Sequence, residues 1–391
     1  MGIENRLAER LKKIKPSSTL AITSRAKKLK SEGYDVVTLA AGEPDFDTPD
    51  AVKDAGIEAI KSGFTKYTPT TGIPDLKKAI SRKFKEDNKL DYSPSQIIVS
   101  CGAKHSIFNV LMVLVGRGDE VLIPSPFWVS YPEMVNLCEG NVRFIKASSS
   151  NNFKMTPDEL KENITARTKV LILNSPSNPT GCVYSQDELR TIADICVKHA
   201  IYVIADEIYE KIIFDGLKHI SIASFGKDIY DLTVTVNGMS KSFSMTGWRI
   251  GYLGAAQYIA DAVSNLQDHS TSNPSSISQK AALAALGLGS GFSGQMRVEF
   301  EKKRDYAVER LKNIKNLGYV ESKGAFYIFC DISKTGLDSL TFSSRLLDEK
   351  NVAIIPGVSF GRDDYVRISF ATSMEQLKKG FDRIEEWAEG L

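Results

Sequence analysis

Short apolar runs that alternate with amphipathic helical patterns set the limits on how this chain folds. "QIIVS" (96–100), "EVLIP" (120–124), "VRFIKA" (142–147), "KVLILN" (169–174), "YVIAD" (202–206) and "LTVTVN" (232–237) read as strands. Helical patterns such as "GAKHSIFNVLMVLVG" and "SQDELRTIADICVKHA" separate most of them. Strands that are apolar along their whole length are buried on both faces. A mostly parallel sheet covered by helices is therefore expected. The pattern changes after about residue 290. There "QMRVEFEKKRDYAVERLKNIKNLG" predicts one long helix closed by Gly318. Strand-like "AFYIFCDI", a helix over 339–350, strand-like "VAIIPG" and "YVRISFA" and a last helix from about 373 follow, which predicts a smaller α+β domain.

A chain of 391 residues has room for more than one domain. Its net charge of +2 gives no bulk electrostatic reason to bind nucleic acid or an anionic membrane. The basic residues Lys12, Lys13 and Lys15, and Lys27, Lys28 and Lys30, could suggest a binding arm, but "SRAKKLKSEG" reads better as the solvated face of an amphipathic helix. Five cysteines, at 101, 138, 182, 196 and 330, show no zinc spacing and fit a reducing cytoplasm. The histidines at 105, 199, 219 and 269 are dispersed, so no metal site is expected. The start "MGIENRLAERLKKIK" has no apolar core, and Arg6 stands where acylation of Gly2 would need Ser or Thr. A cytoplasmic protein with neither membrane nor nucleic-acid partner is expected.

In open parallel sheets ligands lie at the carboxyl ends of strands. The G-x-G-x-x-G of "GSGFSG" (Gly289, Gly291, Gly294) follows the helical run "QKAALAAL" rather than a strand, so it reads as a helix terminus and loop. "IVSCGAKHSIFN" does follow a strand: Gly102 permits a tight turn, and a helix begins near Ala103 whose free N–H groups suit an anion. An ordinary strand-to-helix turn explains it equally. "IYVIADEIYEKI" ends a buried strand with Asp206, which is costly unless a cation or a helix start meets it. "NSPSNPTG" brings Asn178 to the same edge, either as part of a structural turn or facing a ligand.

"NGMSKSFSMTGWRIGY" (237–252) places Lys241 and Arg249 among small, aromatic and glycine residues without a neighbouring carboxylate. A desolvated lysine is a nucleophilic amine able to form a Schiff base, and an arginine fork suits phosphate oxygens. A phosphate-bearing aldehyde whose ring nitrogen meets Asp206 uses all three. Pyridoxal phosphate is such a cofactor.

These motifs occur in order with "AAGEPDFDTP" (40–49), "KYTPTTGIPDLKKAI" (66–80), "PFWVSYPEM", "GAFYIF" and "VRISFAT". The chain resembles, nearly end to end, the class I (fold-type I) pyridoxal-phosphate aminotransferases, within them the bacterial aspartate aminotransferase subgroup. The resemblance implies a large domain over 48–290, with a mostly parallel seven-stranded sheet covered by helices. It also implies a small α+β domain from 1–47 and 291–391 that closes over the site. By the same resemblance Lys241 carries pyridoxal 5′-phosphate and moves the proton at the substrate Cα. Asp206 holds the ring nitrogen, Tyr209 and Asn178 its phenolic oxygen, and Trp128 stacks on the ring. Gly102, Ala103, Ser240 and Arg249 hold the phosphate. A tyrosine matching Tyr67 reaches the phosphate of the neighbouring subunit, implying a homodimer with shared sites. Arg367 binds the substrate α-carboxylate beside Gly42, Trp128 and Asn178.

The activity this implies is transfer of the amino group between L-aspartate and 2-oxoglutarate. Alanine, aromatic amino acids or prephenate as substrates, or a lyase, remain open on the same scaffold. A ligand sensor behind a DNA-binding domain is not expected, since the family pattern starts by about residue 15. A better-known branch of the family reads the distal carboxylate with an arginine shortly before an Asn-Pro pair. Here that stretch is "DAVSNLQDHSTSNPSS" (261–276), with His269 as its only possible cation. Lys104, in the phosphate turn, is the candidate to replace that arginine; a solvated helix lysine is the plain alternative.

Overall fold

A computed structural model describes residues 8–14 and 18–390; Gly2, Arg6 and Lys15 lie outside the described residues. After a short first strand, β1 (Val37–Thr38), seven strands build the main sheet. They are β2 (Ile97–Ser100), β3 (Glu120–Ser125), β4 (Asn141–Lys146), β5 (Thr168–Asn174), β6 (Tyr202–Asp206), β7 (Thr233–Gly238) and β8 (Gly251–Gly254). Their order is β2-β8-β7-β6-β5-β3-β4. Pairs among β3 to β7 are parallel, while β8 runs antiparallel to both β7 and β2. Thus six strands share one direction and β8 opposes them. The first six apolar runs fall on strands within a residue or two. β8 carries two glycines in four residues and begins at the end of the "GWRIGY" motif, which hides its strand character.

Alternate side chains leave the sheet on opposite faces. Ile123, Ile172, Ile204, Val234 and Leu253 pack on one side with Ile107, Val110 and Leu111 of the helix Ala103–Leu114. Leu122, Leu171, Leu173, Val203 and Ala205 pack on the other with Leu189, Ile192 and Cys196 of the helix Gln186–Lys198. That second helix starts where its sequence dictates. Ser185 Oγ accepts from the Glu188 N–H and Glu188 Oε2 accepts from the Ser185 N–H, a reciprocal cap.

A second, antiparallel sheet has the order β12-β13-β10-β9, from β9 (Gly318–Tyr319), β10 (Tyr327–Asp331), β12 (Ile355–Pro356) and β13 (Tyr365–Ser369). β1 pairs in parallel with β11 (Val352–Ala353). Beyond β1, the Leu39 N–H reaches Ala353 O and the Ser369 N–H reaches Leu39 O, so residues 37–40 run alongside the C-terminal strands. Helices Ser339–Lys350 and Met374–Ala388 match the expected ones.

The long helix is corrected at both ends. It spans Gly291–Asn313, so Gly291 and Gly294 are helical, and only Gly289, at φ +61°, and the N-cap Ser290 of "GSGFSG" lie in the turn before it. Gly318 does not close it. Ile314 has already left helical dihedrals (φ −85°, ψ 116°), Asn316 takes the left-handed turn at φ +63°, and Gly318 opens β9. Asparagine, which tolerates that conformation, does the work expected of glycine. In the helix Ser18–Ser31, Lys27, Lys28 and Lys30 are exposed while Ile22 and Ala26 are buried, as expected for a solvated face. Lys12 and Lys13 lie exposed on a short 3₁₀ turn. No described helix is long and apolar enough to cross a membrane, and the five cysteines are free.

Candidate active site

The loops leaving β2, β3, β5, β6 and β7 meet at one sheet edge, and antiparallel β8 enters from that edge. A cavity of about 430 Å³ opens there. Its sheet side presents Ala103, Trp128, Asn178, Asp206, Ser240, Lys241 and Arg249. Its far wall is Gly42, Glu43, Tyr327 and Arg367, from the strap after β1 and from the second sheet.

One end of the cavity is a cradle that admits only glycine at two places. Gly102 has φ +94°, and a Cβ there would lie 2.4 Å from Arg249 Nη2. A Cβ on Gly251 would lie 2.1 Å from the Ala103 nitrogen. The backbones of the β2 turn and of β8 are therefore pressed together beside Arg249. Arg249 itself adopts φ +56°, a conformation costly for a side-chain-bearing residue and associated with functional sites. Its guanidinium donates to Thr246 O (2.9 Å) and Cys101 O (3.4 Å). No side chain caps the helix Ala103–Leu114, whose N-terminus opens on the same spot. Bare helix N–H groups beside an arginine favour an anion.

At the centre stand Lys241 and Asp206. The Lys241 ammonium donates to Gly42 O and lies near Glu43, which in turn accepts from Thr246 Oγ1 at 2.8 Å. Burial lowers the amine's pKa to about 8; Glu43 opposes that fall, while Arg367 and Arg249 add to it. Asp206, only 4 % exposed, is raised to about 6, first by burial. Two donors hold it: Tyr131 Oη at 2.6 Å from Oδ2, and the Ile208 N–H at 3.3 Å from Oδ1. Tyr209 is buried and its hydroxyl meets that of Tyr327 at 2.9 Å.

Arg367 is 5 % exposed, and no carboxylate among the described residues acts on it. Nη1 donates to Asn178 Oδ1 (2.9 Å) and Nη2 to Ala40 O (3.0 Å), while the buried Nε has no partner among the described residues. Its guanidinium carbon lies 4.3 Å from the ring centre of Tyr327. A desolvated cation with an open donor is a site for an anion. Lys104 is exposed at the cavity rim, with Nζ 4.9 Å from the ring centre of Trp128. Burial and the nearby Arg249 hold its pKa below the ordinary lysine value. His269 is exposed and does not line this cavity.

Every sequence-derived candidate except Tyr67 thus lies in or against the one cavity. Tyr67 stands outside it, 91 % exposed on the surface of its own chain. Glu43, Tyr131 and Tyr327 were not singled out. Each sits inside a motif quoted for the resemblance, but nothing in its spacing announces a role. Behind Asp206, Glu207, Glu210 and His219 bring ligand-type atoms within 4.8 Å of one another, although the histidines are dispersed in sequence. Their carboxylates are engaged by Lys83, Asn88 and Ser221.

A family model described as aminotransferase class I and II matches residues 34–384. An aspartate aminotransferase of Bacillus sp. (strain YM-2) is 47 % identical over 386 residues, covering 97 % of this chain and 98 % of that protein. A probable aspartate/prephenate aminotransferase of Rickettsia bellii is 48 % identical over 390 residues, covering 97 % and 98 %. Among solved structures, the aspartate aminotransferase of Rhizobium meliloti superposes with TM-score 0.94 at 39 % identity, covering 98 % of this chain and 99 % of that one. The Thermus thermophilus aspartate aminotransferase with maleate gives 0.93 at 40 % identity, covering 97 % and 99 %. With the site's geometry and these matches running end to end, the chain belongs to the class I and II aminotransferases.

Proposed function

We propose that the chain transfers the amino group between L-aspartate and 2-oxoglutarate, giving oxaloacetate and L-glutamate by a ping-pong mechanism, with pyridoxal 5′-phosphate as cofactor. The observation that carries this reading is the pair of cations at the cavity, buried Arg367 and rim Lys104, neither influenced by a carboxylate among the described residues. Two such cations suit a substrate with two carboxylates. Relatives named aspartate aminotransferase support the choice.

The residues fit the cofactor. The glycine cradle with Arg249, Ala103 and Ser240 suits its phosphate, and Asp206 suits a protonated ring nitrogen. Lys241, with its lowered pKa, suits covalent attachment to the aldehyde. Trp128 supplies a ring face, and Asn178 and Tyr209 supply polar groups for the phenolic oxygen. When bound, pyridoxal phosphate supplies an electron sink for the charge left at the substrate Cα. Arg367, with Gly42 and Asn178 beside it, binds the α-carboxylate and so fixes the Cα hydrogen toward Lys241. The Lys241 amine would take that proton and return it as general base and acid. Lys104 reads the distal carboxylate.

The 91 % exposed Tyr67 supports a homodimer in which this residue enters the partner's site. A division at 48–290 against 1–47 and 291–391, with closure that excludes water, is part of the same reading. The free cysteines support a cytoplasmic setting. The Rickettsia relatives' name favours prephenate as a second substrate, also a dicarboxylate for Lys104 and Arg367. A panel of amino donors against 2-oxoglutarate, and of keto acids against aspartate, tests the reading. Aspartate should lead among the donors and 2-oxoglutarate among the keto acids; leading activity with alanine would overturn the substrate choice.

A further inference from the structure

Tyr131 stands in the first turn of the helix Ser130–Leu137, just after β3, and Asp206 closes β6. β5 separates those two strands in the sheet, so their bond of 2.6 Å reaches across a neighbouring strand end. Both residues are buried, Tyr131 only 2 % exposed. The tyrosine ring also meets Trp128 edge-on, with centres 5.2 Å apart at 84°. Burial and the charge of Asp206 hold the phenol far above its ordinary pKa, so the hydroxyl keeps its proton and donates it to Asp206.

A carboxylate sealed from water takes up a proton unless donors stabilise its charge. The groups facing Asp206 divide by sign. Glu207, next in the chain, and burial itself favour the neutral acid; Tyr131, the Ile208 N–H and Lys241 favour the ion. Among the favourable ones, Tyr131 has the strongest influence. Its bond is short and charge-assisted, the strong kind.

We infer that Tyr131 is a positioning residue that acts through Asp206, its hydroxyl keeping the buried carboxylate ionised and aimed into the cavity. The inference rests on the proposed role of Asp206 toward the cofactor's ring nitrogen. A neutral Asp206 could not hold a positively charged ring, so the phenol sets how strongly that charge is kept.

Tyr131→Phe keeps the ring and its contact with Trp128 and removes only the donor. In cofactor-free protein, isotope-edited infrared titration of Asp206, identified by difference against Asp206→Asn, should move its midpoint upward by about one pH unit. Difluorotyrosine at position 131, a stronger donor in the same shape, should move it downward, which covers the case of a poorly folding phenylalanine variant. In loaded protein, Tyr131→Phe should shift the pH dependence of the visible spectrum in the direction of Asp206→Asn. The rate of proton removal from aspartate should fall on the order of tenfold, about 1.4 kcal/mol, with KM little changed. An unmoved midpoint in both variants overturns the inference. So does a Tyr131→Phe spectrum like wild type where Asp206→Asn differs. If Asp206→Asn itself leaves spectrum and cofactor affinity unchanged, the role of Asp206 falls, and this inference with it.

Discussion

Arg367 donates from Nη1 to Asn178 Oδ1 over 2.9 Å, joining the second sheet to the carboxyl edge of the main one. The remaining contact of its fork, to Ala40 O, leaves Nε open and buried. Arg367→Lys keeps the charge but loses the planar fork. Steady-state kinetics should show KM rising about tenfold or more for aspartate and alanine alike, since both carry the α-carboxylate. A loss confined to dicarboxylic donors would contradict this assignment.

Lys104 should behave in the opposite way. Its Nζ stands over Trp128 at the cavity rim with no carboxylate partner among the described residues. Lys104→Ala should lower kcat/KM for aspartate and glutamate by about 1.5–3 kcal/mol, the range for a hydrogen bond to a charged group. Alanine and aromatic donors should change little. Equal losses for both donor classes would mean that Lys104 serves the anion cradle beside Arg249 instead.

Asp206→Asn should slow removal of the Cα proton on the order of 10², about 2.7 kcal/mol, because a neutral ring is a weaker electron sink. Single-turnover kinetics at saturating aspartate measure it. A rate within a few-fold of wild type would give Asp206 another role.

The amine of Lys241 titrates at about 8 because burial disfavours its charge. Only the neutral amine attacks an aldehyde. Capture of pyridoxal phosphate by cofactor-free protein should therefore accelerate as pH rises toward 8 and level off above it. Stopped-flow absorbance follows the reaction; an acceleration that continues unchanged to pH 10 would indicate an ordinary solvated lysine.

Strand identity along the chain was legible because fully apolar runs have few other uses, and the carboxyl-edge rule pointed to the edge where the candidate residues gather around one cavity. β8 escaped because glycines at 251 and 254 weaken its pattern, and they are there for close approach: Gly251 lies against the Ala103 backbone and Gly254 against Tyr92. Site partners drawn from distant segments were equally hidden. Tyr131 meets Asp206 from 75 residues away, and Gly42 O meets Lys241 from 199 away. The long helix was misread at both ends because Gly291 and Gly294 look like loop residues and Asn316 does not look like a stop. The roles proposed for Asn178, Arg367 and Tyr67 came from family resemblance alone. A lone arginine in a strand pattern is ordinarily a surface residue, and only burial beside Tyr327 and Phe360 distinguishes this one.

The central claim is that Lys241 and its cavity move an amino group from aspartate and keep it on the enzyme until a keto acid arrives. Protein loaded with pyridoxal phosphate and mixed with aspartate alone tests this in one turnover. The visible absorbance should bleach, one equivalent of oxaloacetate per site should appear, and no ammonia should be released; 2-oxoglutarate added afterwards should restore the absorbance and yield glutamate. Lys241→Ala should do none of this. Ammonia or pyruvate released catalytically without a keto acid, or bleaching that survives Lys241→Ala, would contradict the account.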